Sequence, residues 1–166
     1  MLIQQNVAGL NFFNRSWEEF KVGFDDSRGN YWLGNELLSY LTLNGRYKLK
    51  FDLQSRSSNN WYYAEYSTFI VLSEADKYTL QVAGYWGNAG SDSFANQNGM
   101  MFTTYDLDND RHPQNCAVRH GGGFWYNACA TCEVNSPRVD SEDDFSWNNL
   151  PGGKALQSSR MWLQCK

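Results

Sequence analysis

The 166-residue chain has no apolar stretch longer than pieces of the kind Phe69 to Leu72. A membrane-spanning helix needs about 20 consecutive apolar residues, so no span is expected. Met1-Leu2-Ile3 runs straight into Gln4-Gln5-Asn6, so no secretory leader is expected within this stretch. If the protein is secreted, its export signal is expected outside this stretch, and the chain reads as an excised piece of something longer. Positive charge is also scarce: 14 Lys and Arg stand against 18 Asp and Glu, for a net charge of -4. No basic block interleaves with aromatics to follow a phosphate backbone, which argues against nucleic acid. There are only 2 histidines, His112 and His120, and no Gly-x-Ser-x-Gly elbow to carry a nucleophile. Nothing singles out two of the scattered carboxylates for glycoside chemistry. No internal repeat or low-complexity tract is present. These absences point away from an enzyme.

What is abundant is aromatic: 7 Trp, 10 Tyr and 10 Phe, beside 14 Gly. This supplies a core for one loop-rich domain, in which Tyr and Trp can pack inward while offering a polar tip. Ser16-Trp17-Glu18-Glu19 has capping-box spacing and predicts a short helix from Ser16. Asn35 precedes Glu36 to Leu41, where Leu37, Leu38 and Leu41 fall at helical spacing and Gly45 closes a second short helix. Strands are predicted over Tyr47 to Leu53, Tyr62 to Leu72 and Tyr78 to Trp86. Beyond Gly87, Gly, Asn, Ser and Asp dominate, and from Tyr105 onward no sustained period of 2 or 3.6 is found. The expected fold is α+β: a twisted, mainly antiparallel sheet with short flanking helices over 1–86, and a loop-rich part over 87–166.

Two constellations stand out in that second part. Asp106, Asp108 and Asp110 alternate, so they can converge on one hard cation, calcium being the natural candidate. An EF-hand fails, because Arg111 and Ala117 stand where it needs Gly and Glu. A solvated acidic turn is the plainer alternative. The 4 cysteines, at 116, 129, 132 and 165, allow three pairings and suit an oxidising compartment. A four-cysteine zinc site would want a second short pair beside Cys129-Ala-Thr-Cys132, and a redox Cys-x-x-Cys would want a βαβ setting; both are lacking. Asn14-Arg15-Ser16 is an N-glycosylation sequon, with Asn14 the acceptor.

Taken together, several segments resemble the fibrinogen C-terminal domain of fibrinogen chains, ficolins, tachylectins, angiopoietins and microfibril-associated glycoproteins. They are Phe13-Asn14-Arg15-Ser16-Trp17-Glu18-Glu19-Phe20, Gly23-Phe24, Tyr31-Trp32-Leu33-Gly34-Asn35-Glu36, Tyr63-Ala64-Glu65-Tyr66, Ser73 to Tyr78, Asn98-Gly99-Met100, Asp108-Asn109-Asp110, Asn115-Cys116-Ala117 and Trp125 to Cys129. The resemblance implies a domain over 1–166 that lacks the family's first strands before Leu2, leaving a strand edge without its partner, a feature that invites association. It implies a calcium ion (Ca2+) held by Asp108 and Asp110 side chains with the carbonyls of His112 and Gln114. It implies a Cys116–Cys129 disulfide, and leaves Cys132 and Cys165 to pair with each other. It also implies a ligand pocket beside that bridge. There a cis Ala128–Cys129 peptide aims backbone N–H groups at the ligand, Phe124, Trp125, Tyr126 and Trp147 wall an acetyl methyl, and His120 sits at the polar rim. Ala130 stands where the family often has His, and Lys154-Ala155-Leu156-Gln157 lacks the family's tyrosine. The implied function is a secreted, calcium-dependent, lectin-like module of innate immune pattern recognition. It would bind acetylated sugars or microbial surface glycans and gain avidity through a homo-oligomer of the full-length protein. The alternative is a protein-binding module, either a receptor ligand or a fibrin-like polymerisation domain.

Overall fold

The computed structural model describes residues 1–7, 11–137 and 144–166. Ser16 opens α1 (Trp17–Val22) as a capping box: its hydroxyl accepts from the Glu19 N–H, and its own N–H donates to Glu19 Oε2 at 2.9 Å. The box holds the Glu19 carboxyl below its usual range, chiefly through that backbone hydrogen bond, with Arg15 adding to it. α1 buries Trp17 and Phe20, and the Trp17 indole and the Lys21 ammonium both reach Glu74, at 2.9 and 2.6 Å. α2 (Asn35–Asn44) starts one residue earlier than its sequence pattern indicates, on Gly34, because Asn35 is drawn into the core to accept from the Trp32 indole. Leu38 is buried, while Leu37 points outward.

The main sheet has seven strands in the order β2-β3-β1-β9-β4-β5-β6, with antiparallel pairing throughout. These are β1 (Leu2–Asn6), β2 (Phe24–Asp25), β3 (Tyr31–Trp32), β4 (Tyr47–Ser55), β5 (Trp61–Val71), β6 (Leu80–Gly87) and β9 (Leu156–Cys165). The alternation in β4 is complete: Leu49, Phe51 and Leu53 face the core. On its other face Lys50 pairs with Asp52, and Asp52 also accepts from the Trp162 indole at 2.8 Å. In β5 the inward set changes parity, from Ala64 and Tyr66 to Phe69 and Val71. The switch falls at Ser67, opposite Gly84, whose φ of 75° and lack of room for a Cβ against the Ser67 side chain require glycine there.

This topology adds two features to the sequence reading. Among the described residues β1 lies between β3 and β9, and the edge strands are β2 and β6. The region after residue 86 is not loops alone, because β9 returns from it to the middle of the sheet and pairs with β4 along nine positions from Tyr47↔Cys165 to Ser55↔Leu156. Its buried side chains are Leu156, Met161 and Leu163 together with the adjacent Ser158 and Ser159, so the apolar alternation that marks a strand is broken in the sequence. The mostly antiparallel sheet with few short helices otherwise matches the expected α+β class.

The rest of the second half leans on the sheet through buried polar side chains. Gln4 of β1 donates to the Val134 carbonyl at 2.9 Å, to Asn135 Oδ1 at 3.0 Å and to Ser159 Oγ at 3.1 Å. Asn135 in turn donates to the Gly123 carbonyl. A second, two-stranded sheet pairs β7 (Cys132–Glu133) with β8 (Ser146–Trp147). No helix among the described residues is long and apolar enough to cross a membrane.

Candidate functional site

The site is built from a loop, a short helix and the small sheet. α3 (Cys116–His120) is capped by Asn115, whose side-chain oxygen accepts from the Val118 N–H while its amide donates to the Thr104 carbonyl. Gly121, at φ 73°, ends the helix in the left-handed region after five residues. Gly122 follows because a Cβ there would collide with the Asn135 carbonyl, only 2.1 Å away. Cys116, the first residue of α3, is bonded to Cys129, and the Ala128–Cys129 peptide is cis.

The acidic loop sits at the N-terminal end of this helix. Asp110 accepts from the backbone N–H groups of His112 and Cys116, both at 2.8 Å, and the Asp110 N–H donates to Asp108 Oδ1 at 3.2 Å. Burial, reinforced by the charge of Asp108, raises the Asp110 carboxyl above its usual range although two backbone N–H groups pull the other way. A carboxylate whose charge is disfavoured by burial and by a neighbouring carboxylate is what a hard dication relieves, so the donor set fits calcium. His112 Nδ1 lies 3.0 Å from both the backbone nitrogen and the carbonyl oxygen of Gln114, so the ring fixes the turn that carries the two expected carbonyl ligands. Asp106, the third alternate carboxylate, is engaged elsewhere: it accepts from the Trp17 N–H at 2.9 Å and from the Thr104 hydroxyl, tying α1 to the loop.

Beside the bridge lies a cavity of about 300 Å³ lined by Arg119, His120, Ala128, Cys129, Ala130, Glu133, Ser146 and Asn148. Four of the residues expected around it, His120, Ala128, Cys129 and Ala130, are there. The expected aromatic wall is not. Phe124, Trp125, Tyr126 and Trp147 are each at most 1% exposed and belong to the core. The Trp125 indole donates to the Tyr78 carbonyl, and its ring stands 5.1 Å from Phe102; Trp147 lies 5.1 Å from Phe51. Tyr126 donates to the Gly122 carbonyl, and burial drives its hydroxyl pKa well up. The core takes these rings because the sheet presents Leu49, Phe51, Leu53 and Met161 to them, and burial of each large ring outweighs exposure at a cavity.

His120 lines the cavity and is largely buried at the end of α3, stacked 5.9 Å from the Tyr126 ring, with Nδ1 at 3.1 Å from both Glu133 Oε2 of β7 and Asp144 Oδ1 just before β8. Ser136 fixes its carbonyl at 2.9 Å. Sequence reading missed Glu133, Asp144, Arg119, Ser146 and Asn148. The only available signal was the acid-rich run after residue 140, which carried no periodicity.

The expected Cys132–Cys165 bond is absent. Cys132 is a buried thiol opposite Trp147 in the small sheet, held by Gln97, and Cys165 is an exposed thiol beside Tyr47 at the end of β9. Burial raises the Cys132 thiol well above its usual pKa. Asn14, the sequon residue, is exposed just ahead of α1.

A central antiparallel sheet, a disulfide that locks an acidic loop to the neighbouring segment and a polar cavity beside that bridge define a fibrinogen-like globe. The family model for fibrinogen beta and gamma chains, C-terminal globular domain, matches residues 1–166, and the chain belongs to this family. It is 40% identical to the human fibrinogen alpha chain over 98% of its own length, which is 20% of that protein. It is 45% identical to human angiopoietin-related protein 2 over 77% of its length, or 26% of that protein. The chain thus spans a minor part of these curated relatives. Among solved structures, the fibrinogen-like globe domain of human ANGPTL2 superimposes with a TM-score of 0.89 at 37% identity, covering 99% of this chain and 79% of that one. A lamprey fibrin D-dimer in complex with the peptide Gly-His-Arg-Pro-amide gives a TM-score of 0.85 at 30% identity, over 99% of this chain and 60% of that one.

Proposed function

We propose that this chain is an extracellular, non-catalytic recognition module that binds a protein partner through the polar cavity beside Cys116–Cys129. The observation that carries this reading is the composition of the cavity. Its lining offers a guanidinium, an imidazole, a carboxylate, a hydroxyl and an amide, whereas the rings that would grip an acetyl methyl are sealed in the core. A peptide, with backbone and charged side chains to satisfy, matches that lining better than an acetyl group does. The relatives point the same way: angiopoietin-related proteins and fibrinogen are in the family, and one similar structure holds a peptide. The disulfide suits an oxidising, extracellular setting.

Calcium has a supporting role in this reading. Asp108 and Asp110 with the carbonyls of His112 and Gln114 hold the ion, which supplies charge neutralisation to the loop. The Arg111 N–H donates to the Asn127 carbonyl, and the disulfide adds a covalent tie, so order in the loop is passed to the segment that lines the cavity. The test is to screen a glycan array and an immobilised peptide array side by side, in calcium and in chelator. The reading expects peptide binding that weakens without calcium. Calcium-dependent capture of acetylated sugars with silent peptides would replace it with the lectin reading.

A further inference from the structure

We infer that the groove between the end of α1 and the first turns of α2 is a second docking surface, whose occupant is an amphipathic protein segment with a basic edge. The groove holds about 470 Å³ and is lined by Lys21, Val22, Glu36, Leu37 and Tyr40. Val22, Leu37 and Tyr40 are 73%, 46% and 64% exposed, and Leu43, at 50%, continues the same three-residue spacing along α2. The helix meanwhile buries Leu38, Ser39 and Thr42, so this apolar stripe is left over once the core is complete. A contiguous apolar patch kept in water on a rigid frame marks an interaction site. The frame is rigid because the backbones meet at two glycines. A Cβ on Gly23 would lie 2.6 Å from the Leu33 carbonyl oxygen, and one on Gly34 would lie 2.8 Å from that of Val22.

Charge at the edge of the groove selects the occupant. Glu74 accepts from the Lys21 ammonium at 2.6 Å, and Glu36 accepts from the Tyr78 hydroxyl at 2.7 Å. Lys21 is held above its usual pKa, chiefly by the hydrogen bond to Glu74, and the charges of Glu18 and Glu36 add to it, so three carboxylates act on one ammonium. Glu18 and Glu36 take part in no ion pair among the described residues. The edge is therefore net negative. A two-fold dimer through this face would bring Glu18 and Glu36 of one copy toward those of the other, and an anionic lipid surface would meet the same repulsion. A Lys or Arg beside a row of apolar side chains satisfies both parts of the groove: the apolar row seats on Val22, Leu37 and Tyr40, and the cation reaches Glu18 or Glu36. The groove shares no lining residue with the cavity beside the disulfide, so either site can be filled without the other.

The experiment titrates the calcium-saturated chain with three helical peptides of about 18 residues, or five turns, and maps the amide chemical shifts. The peptides share one leucine stripe and carry Lys, Gln or Glu beside it. The lysine peptide should shift the amides of Val22, Leu37 and Tyr40, leave Ala128 to Ala130 in place, and bind at low salt about 10-fold or more tightly than the glutamate peptide. Tyr40→Ser should weaken the lysine peptide by about 10-fold, and Glu18→Gln should narrow its lead over the glutamate peptide. Both residues are exposed, so the variants should keep the parent's spectrum away from the groove. Equal binding of the three peptides, shifts only at other amides, or no shifts up to about millimolar peptide would overturn the assignment. So would movement of the Val22, Leu37 and Tyr40 amides when the peptide-free protein is diluted, which would mean that a second copy fills the groove.

Discussion

At the scale of single residues, exposure separates groups that sequence treats alike. Cys132 and Cys165 are both free, yet one is sealed beside Gln97 with its thiol pKa raised by burial and the other is exposed. Thiolate, not thiol, is the nucleophile, so a thiol reagent should titrate one group, Cys165, in the native protein and a second only on unfolding. Two rapid equivalents, or none with a new disulfide found by peptide mapping, would contradict the structure. Asp110 makes a prediction in pH. Its carboxyl is held above the ordinary aspartate range of about 3.9, so as pH falls it takes up its proton earlier than a free aspartate does, and calcium, which needs the charged form, is lost in that same window. Calcium affinity measured by calorimetry should therefore begin to drop at a higher pH than an unperturbed aspartate ligand would give. Affinity flat down to the ordinary range would argue against Asp110 as a ligand. Asp108 and Asp110 could be singled out together because they lie in one short stretch. The surroundings of His120 could not be read in this way, because Glu133 and Asp144 come from other elements.

At the scale of elements, local signals read correctly and long-range ones did not. The capping box at Ser16 and Glu19 is a contact between neighbours three apart, so the helix start was legible; Ser16→Ala should cost about 1 kcal/mol in urea unfolding of unglycosylated protein. A cost near zero would mean that the Trp17 N–H to Asp106 bond alone holds the helix start. β4 was legible through strict alternation, whereas β9 was hidden by its two adjacent buried serines, and the parity switch at Ser67 and Gly84 is visible only once two strands lie side by side. Since β9 joins the β1 and β4 parts of the sheet, Met161→Ala, opposite Phe51, should destabilise by about 2–5 kcal/mol in the same assay. A loss under about 1 kcal/mol would mean that the strand is peripheral.

At the scale of the molecule, the fold was legible because family segments recur along the chain, and the cavity was not, because its character depends on which aromatics the core absorbs. Phe124, Trp125 and Tyr126 stand next to Cys129 in sequence and nonetheless face away from the cavity, into a core assembled from both halves of the chain. Calcium should raise the thermal midpoint of the parent and not that of Asp108→Ala, and an equal rise in both would move the ion elsewhere. The claim that the cavity beside the bridge receives a protein segment is tested most directly by amide chemical-shift mapping in calcium buffer free of transition metals, with Gly-His-Arg-Pro-amide and N-acetylglucosamine as parallel probes. The account predicts that the peptide shifts amides clustered at Arg119, His120, Ala128 to Ala130, Ser146 and Asn148, and that the sugar leaves them in place. Shifts of that cluster by the sugar, with the peptide inert, would contradict it.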